Sequence, residues 1–223
     1  TGEQLNPVIT GNGGGGVIVV WEDYRSTASS GDIYAQRISS SGQILWTSGG
    51  VAVCTAPNVQ MHPTVVADGQ GGAYIAWEDY RSNIGTIYVQ HIAAAGTVSW
   101  APNGVAAATT AGARYAPVIG TATTGDVLLA WEENPFGTEF DIQAQRLSPA
   151  GSLLEGNDGY PVCNVTGFQT QLTGLSDGSG GLLLAWQDFR GSTADIYVQK
   201  ITLTGPVWQS NGVPVCTAAG VQE

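Results

Sequence analysis

Residues 71–81 read Gly-Gly-Ala-Tyr-Ile-Ala-Trp-Glu-Asp-Tyr-Arg, and after a short break residues 87–92 read Ile-Tyr-Val-Gln-His-Ile. The chain carries this pair of segments four times. The other copies are Val17 to Arg25 with Asp32 to Ile38, Asp126 to Pro135 with Asp141 to Leu147, and Leu182 to Arg190 with Asp195 to Ile201. Their tryptophans, Trp21, Trp77, Trp131 and Trp186, stand 56, 54 and 55 residues apart. Self-similarity at a fixed period marks a repeat protein. The units fall at approximately residues 4–59, 60–113, 114–168 and 169–223.

Outward from the tryptophan strand, each unit reads as a run of strands. A segment with Pro7, Pro63 or Pro117 in one slot, and Leu172 in the fourth copy, predicts a first strand, because proline at a strand start costs no ladder donor. A Gly-rich turn follows, as at Asp68 to Gly72 and Asp177 to Gly181. The next strand is apolar on both faces, so both faces are expected to be covered. The third alternates: Ile33, Ala35 and Arg37 share one side, and Tyr34, Gln36 and Ile38 the other, with the Gln recurring as Gln90, Gln145 and Gln199. A turn such as Ser39 to Gly42 then reverses the chain into Gln43 to Trp46. Asn103-Gly104, Asp158-Gly159 or Asn211-Gly212 lead on to a Val-rich piece. No segment keeps a 3.6-residue period. The expected fold is all-β: a beta-propeller of four four-stranded antiparallel blades in a single domain spanning 1–223. Gln4 and Gln222 fall in the same repeat phase, which predicts a self-closed four-bladed ring, with an eight-bladed ring shared by two chains as the competing arrangement.

Trp-Glu-Asp-Tyr-Arg followed by Asp-Ile-Tyr-Ala-Gln-Arg, at residues 21–25 and 32–37, resembles a repeat of large secreted or surface-attached bacterial proteins assigned to beta-propellers. The resemblance covers all four units. It implies architecture and an extracellular or cell-surface location, and says little of activity. The chain lacks the Gly-His to Trp-Asp pairing of WD40 repeats and the Asp-box of sialidases, so no glycosidase residues are carried over.

Composition narrows the partners. Lys+Arg 7 against Asp+Glu 18 gives a net charge of -11, which repels phosphate backbones and argues against nucleic acid. No apolar run is long enough for a membrane helix, and no leader precedes Thr1, as in a mature or excised segment. Cys54, Cys163 and Cys216 occupy one repeat phase, with Ala108 in the fourth slot. Equivalent positions in different units lie too far apart to bridge, so three free, packed thiols are expected.

The strongest polar pattern is Asp23, Arg25 and Asp32, repeated as Asp79, Arg81 and Thr86 and as Asp188, Arg190 and Asp195. An Arg flanked by two carboxylates can hold both and brace the loop between the second and third strands. Recurrence in several units favours bracing over a single active site. The third unit departs from the pattern. Glu133, Asn134, Phe136, Glu139 and Phe140, with Arg114 and Tyr115 at its start, form a candidate ligand site of rings beside carboxylates. Glu132 and Glu133 are adjacent on a strand and so point to opposite faces, a poor start for a catalytic pair. His62 and His91 sit in different phases, outside any metal-ligand spacing, and read as structural or surface residues. No phosphate loop or nucleotide fingerprint is present, no cofactor or metal is expected, and calcium at Asp68 or Asp177 finds only one carboxylate per turn. The expected function is a non-catalytic extracellular interaction module, not an enzyme, presenting loops to a protein or cell-surface partner. A glycan-binding, lectin-like propeller and a hydrolase are the alternatives.

Overall fold

The computed structural model describes residues 2–26, 31–134, 137 and 139–218. Among these there is no helix. The strands are β1 (Gln4–Gly11), β2 (Val17–Asp23), β3 (Asp32–Ile38) and β4 (Val51–Cys54); β5 (Gln60–Ala67), β6 (Ala73–Asp79), β7 (Thr86–Ile92) and β8 (Val105–Ala106); β9 (Ala113–Thr121), β10 (Val127–Asn134), β11 (Asp141–Leu147) and β12 (Tyr160–Cys163); and β13 (Gln169–Ser176), β14 (Leu182–Asp188), β15 (Asp195–Thr202), β16 (Gly205–Pro206) and β17 (Val213–Cys216). Each group forms one antiparallel sheet in chain order, one sheet per repeat. In the fourth, both β16 and β17 pair with β15.

The chain divides into two compact units, Thr1–Ala106 with the first and second sheets and Ala107–Glu223 with the third and fourth. In the first unit, Ile18, Val20, Ile33, Ala35 and Val53 of one sheet pack on Ala73, Ile75, Trp77 and Ile92 of the next. In the second, Leu128, Ala130, Ile142, Ala144 and Val162 meet Leu182, Leu184, Trp186 and Ile201 in the same way. Full burial of each such aliphatic side chain contributes about 1.5–3 kcal/mol, which is why the tryptophan strands are apolar on both faces.

Two expectations change in detail. Gln43 to Trp46 is not a strand: Ile44 makes a single bridge to Ile38, and the Val-rich piece supplies the fourth strand. The recurring glutamine is the cause. Gln36 Oε1 accepts from the Trp46 amide at 3.0 Å and its Nε2 donates to the Thr47 carbonyl at 2.8 Å, so a side chain stands in for ladder partners as the chain peels away. Gln90, Gln145 and Gln199 repeat these bonds. The prolines, for their part, lie inside the first strands, at bulges. The preceding Asn6, His62 and Ala116 have positive φ, and the register slips there. A bulge, like an edge, leaves no donor for proline to lose.

Glycine is required where the tryptophans seat. Gly104 and Gly212 have φ of 86° and 87°, and a Cβ there would stand 2.6 and 2.5 Å from the rings of Trp77 and Trp186.

Candidate functional site

The Asp-x-Arg segments sit at the ends of β2, β6 and β14. Asp188 is fully buried. It accepts from the Trp186 indole N–H at 2.8 Å, the Arg190 amide at 3.0 Å, and Arg190 Nε and Nη2 at 2.8 and 2.6 Å. Arg190 lies over the Tyr197 ring, 3.8 Å from its centroid, and also donates to the Asn211 carbonyl at 2.7 Å. Asp79 with Arg81, and Asp23 with Arg25, repeat the bidentate fork and the tyrosine stack. In the fourth repeat Arg190 gives both forks to Asp188, and Asp195 is not among its partners. Burial pushes the Asp23 carboxyl upward, but the Arg25 fork, the Trp21 indole and the Arg25 amide outweigh it and hold it at about 2. Asp188 is depressed by the same balance.

The cysteines are free and belong to this arrangement. Cys54 Sγ lies 3.4 Å from Arg81 Nη2 and 3.8 Å from Asp79 Oδ2, and Cys163 Sγ lies 3.4 and 3.7 Å from the equivalent atoms of Arg190 and Asp188. Each thiol therefore touches the Asp-Arg pair of the following sheet. Burial pushes Cys54 to about 12 and Cys163 to about 11, so neither is a nucleophile at neutral pH.

A second recurring pair ties the Gly-rich turns. Asp68 accepts from the Gln70 and Gly72 amides and from His91 at 2.9 Å; Asp177 accepts from the Ser179 and Gly181 amides and from Lys200 at 2.6 Å. These carboxylates are filled by donors. Among the described residues, no group of three His, Cys, Asp or Glu is placed to hold a metal ion.

The third repeat is wired differently. Its carboxylate, Glu133, has no Arg two residues on; Arg114, on the neighbouring strand directly opposite, supplies the guanidinium at 2.8 Å. Arg114 is buried and further held by the carbonyls of Thr110 and Gly112. With Glu133 drawn that way, the Trp131 indole N–H is buried without a partner among the described residues, although its counterparts all bond a carboxylate. Glu132 points to the other face, where it accepts from the Leu172 amide at 2.8 Å.

Opposite Glu133 on its other side stands Asp141 of β11. Burial raises the Glu133 carboxyl, tempered by Arg114 and reinforced by the charges of Asp158 and Asp141. Burial and the charge of Glu139 raise Asp141. Tyr115 is paired with Glu132 and so projects to the other face, where a file of tilted rings runs from Tyr115 to Phe140 at 5.9 Å and from Phe140 to Phe168 at 6.1 Å, with Phe168 exposed. The structure thus brings Glu133 and Arg114 together on one face, and Tyr115 and Phe140 together on the other. Asn134 accepts from the Gly137 amide within its own turn, Glu139 is exposed, and Phe136 lies outside the described residues. Sequence reasoning missed Asp141, hidden in the slot of Asp32 and Asp195, and Phe168, whose signal was an aromatic in one repeat only.

No protein-family model and no curated protein matches the chain. Solved structures do. The alpha-L-arabinofuranosidase of Fusarium graminearum in complex with an iminosugar inhibitor matches at 10% identity and a TM-score of 0.58, covering 96% of this chain and 68% of that one. A thermostable family-43 glycoside hydrolase matches at 12% and 0.53, covering 99% and 76%. An exo-1,5-alpha-L-arabinanase from a bovine ruminal metagenomic library matches at 13% and 0.50, covering 99% and 80%. At such identities the likeness is one of fold. The expectations of a non-catalytic module and of no enzyme are corrected here, because the structures sharing this fold are glycan-cleaving enzymes. In the sequence, the recurring Asp-x-Arg pairs point to scaffold, and Glu132 and Glu133 are neighbours along one strand.

Proposed function

We propose that this chain is a carbohydrate-active enzyme cleaving glycosidic bonds, its four sheets the blades of a propeller and its site the end of the third. The observation that carries the reading is the opposed pair Glu133 and Asp141, both raised in pKa, with Arg114 against Glu133 on the same face. Directly opposed residues on antiparallel strands project to one face with Cβ atoms about 4.5–5.5 Å apart. Carboxyl groups about 5–5.5 Å apart suit a double displacement with retained configuration.

Their environments divide the roles. Asp141 has no cation among the causes of its shift and sits beside Glu139, so it is the acid; Arg114 stabilises the charge of Glu133, which makes Glu133 the nucleophile. Asp141 gives its proton to the glycosidic oxygen as that C–O bond breaks, and Glu133 closes on the anomeric carbon to form a glycosyl ester. Asp141, now ionised, takes a proton from water, which displaces Glu133 and releases the sugar.

The test is hydrolysis of arabinans and a panel of aryl glycosides, arabinofuranosides first. Turnover is expected for at least one, with loss of about 10³-fold or more in Glu133→Gln and Asp141→Asn, since acid and nucleophile each carry several kcal/mol of the barrier. Turnover unchanged in both variants refutes the assignment.

A further inference from the structure

In the first unit, the face of β2 and β3 that carries Ile18, Val20, Ile33 and Ala35 is covered by the next sheet. Val53 is 2% exposed and Trp46 9%. The equivalent face of the fourth sheet is bare. Val215, in the slot of Val53, is 61% exposed, and Trp208, in the slot of Trp46, is 42% exposed. Trp208 lines an apolar recess of about 230 Å³ with Thr173, Leu183, Ala185 and Val198. The first sheet has the reciprocal bare face. Ile9 is 63% exposed where the equivalent Val65 packs into the core, and Trp21 is half-buried where Trp77 and Trp186 are fully covered.

Three local features say what belongs on the fourth sheet. Cys54 precedes a sheet with an Asp-Arg fork and touches it, and so does Cys163; Ala108 holds the same slot before the third repeat, whose loop lacks the Arg. A cysteine thus goes with a following Asp-Arg sheet, and Cys216 is a cysteine. Trp46 donates its indole N–H to the Ala94 carbonyl at 3.0 Å and roofs Gly96, where an added Cβ would stand 2.8 Å from the ring. The first sheet offers the same seat vacant: Gly42, at the phase of Gly96, has nothing within 4 Å of that position. Finally, the first repeat carries the Asp23-Arg25 fork that Cys216 calls for.

We propose that the bare face of the fourth sheet docks the first sheet of a second copy of this chain, and that the second copy returns the contact. Both complementary faces stand open on the same polypeptide, so two copies satisfy each other through two equivalent contacts and leave no such face over. In the contact, Cys216 meets the partner's Asp23 and Arg25, and the Trp208 indole donates to the carbonyl of the partner's Ser40.

Light scattering coupled to size exclusion on the full chain tests this. The wild type is expected at twice the chain mass of 23.0 kDa, and Val215→Arg at 23.0 kDa with unchanged circular dichroism. Ile9→Arg, on the other face, is expected to be monomeric too. An equimolar mixture of the two variants retains one undamaged contact and is expected to recover dimer at high concentration. Cys216 is expected to react with a thiol reagent at least tenfold faster in Val215→Arg than in the wild type. A wild type at 23.0 kDa at every concentration, or a mixture that stays monomeric, overturns the proposal.

Discussion

Replacing Asp188 by Ala removes the hub of the fourth sheet's loop. Two costs follow. The Trp186 indole N–H, 2% exposed as a residue, loses its acceptor, and a buried unpaired donor costs about 1–3 kcal/mol. Arg190 loses a bidentate partner; breaking a fully buried ion pair costs about 3–5 kcal/mol, but a quarter of the Arg190 side chain is exposed and it keeps the Asn211 carbonyl and the Tyr197 ring, so the lower end applies. The two costs overlap in one side chain and are not additive, which puts the expected loss at about 3–4 kcal/mol. Urea unfolding followed by tryptophan fluorescence measures it, and a double-mutant cycle with Arg190→Met isolates the pair, with an expected coupling of about 2 kcal/mol. A loss under about 1 kcal/mol would refute the reasoning, since it would mean the fork behaves as an ordinary surface ion pair.

Asp23 gives a pH dependence whose sign is fixed. Its pKa is depressed to about 2 in the fold, so its stabilisation is complete above the ordinary carboxylate value near 3.8 and is lost as pH falls through about 2; side-chain carboxyl NMR is expected to show Asp23 still ionised at pH 3. Asp141 is shifted the other way, so turnover is expected to decline as pH rises past its elevated pKa, and a rate that climbs through that range would remove it as the acid. Thiol titration of native protein at pH 8 is expected to leave Cys54 and Cys163 unreacted until denaturant is added.

Much of the fold was legible because the repeat prints it four times. A tryptophan every 54–56 residues, glycine where a ring must seat, and strands apolar on both faces each have one physical reading. The fourth strand was less legible. Gln43 to Trp46 has strand composition, and only the reach of the buried Gln36 side chain shows that its amides are satisfied without a ladder. The cysteines were read as apolar filler, since nothing in their local sequence reveals an Arg-Asp pair 25 to 27 residues on. In the third repeat, the loss of symmetry was visible at Glu133, but its meaning was not. Arg114 is 19 positions upstream of Glu133 and becomes its neighbour only through the β9–β10 register, just as Asp141 does through β10–β11. Cross-strand chemistry of this kind is invisible to spacing along the chain.

In the proposed mechanism Glu133 is the group that attacks the sugar. A 2-fluoro glycosyl fluoride of whichever sugar the hydrolysis panel selects slows the second step and leaves the ester in place for peptide mass mapping. The expected result is one adduct per chain, on Glu133, absent from Glu133→Gln; hydrolysis with an adduct on any other carboxylate, or with no adduct and inverted product, contradicts it.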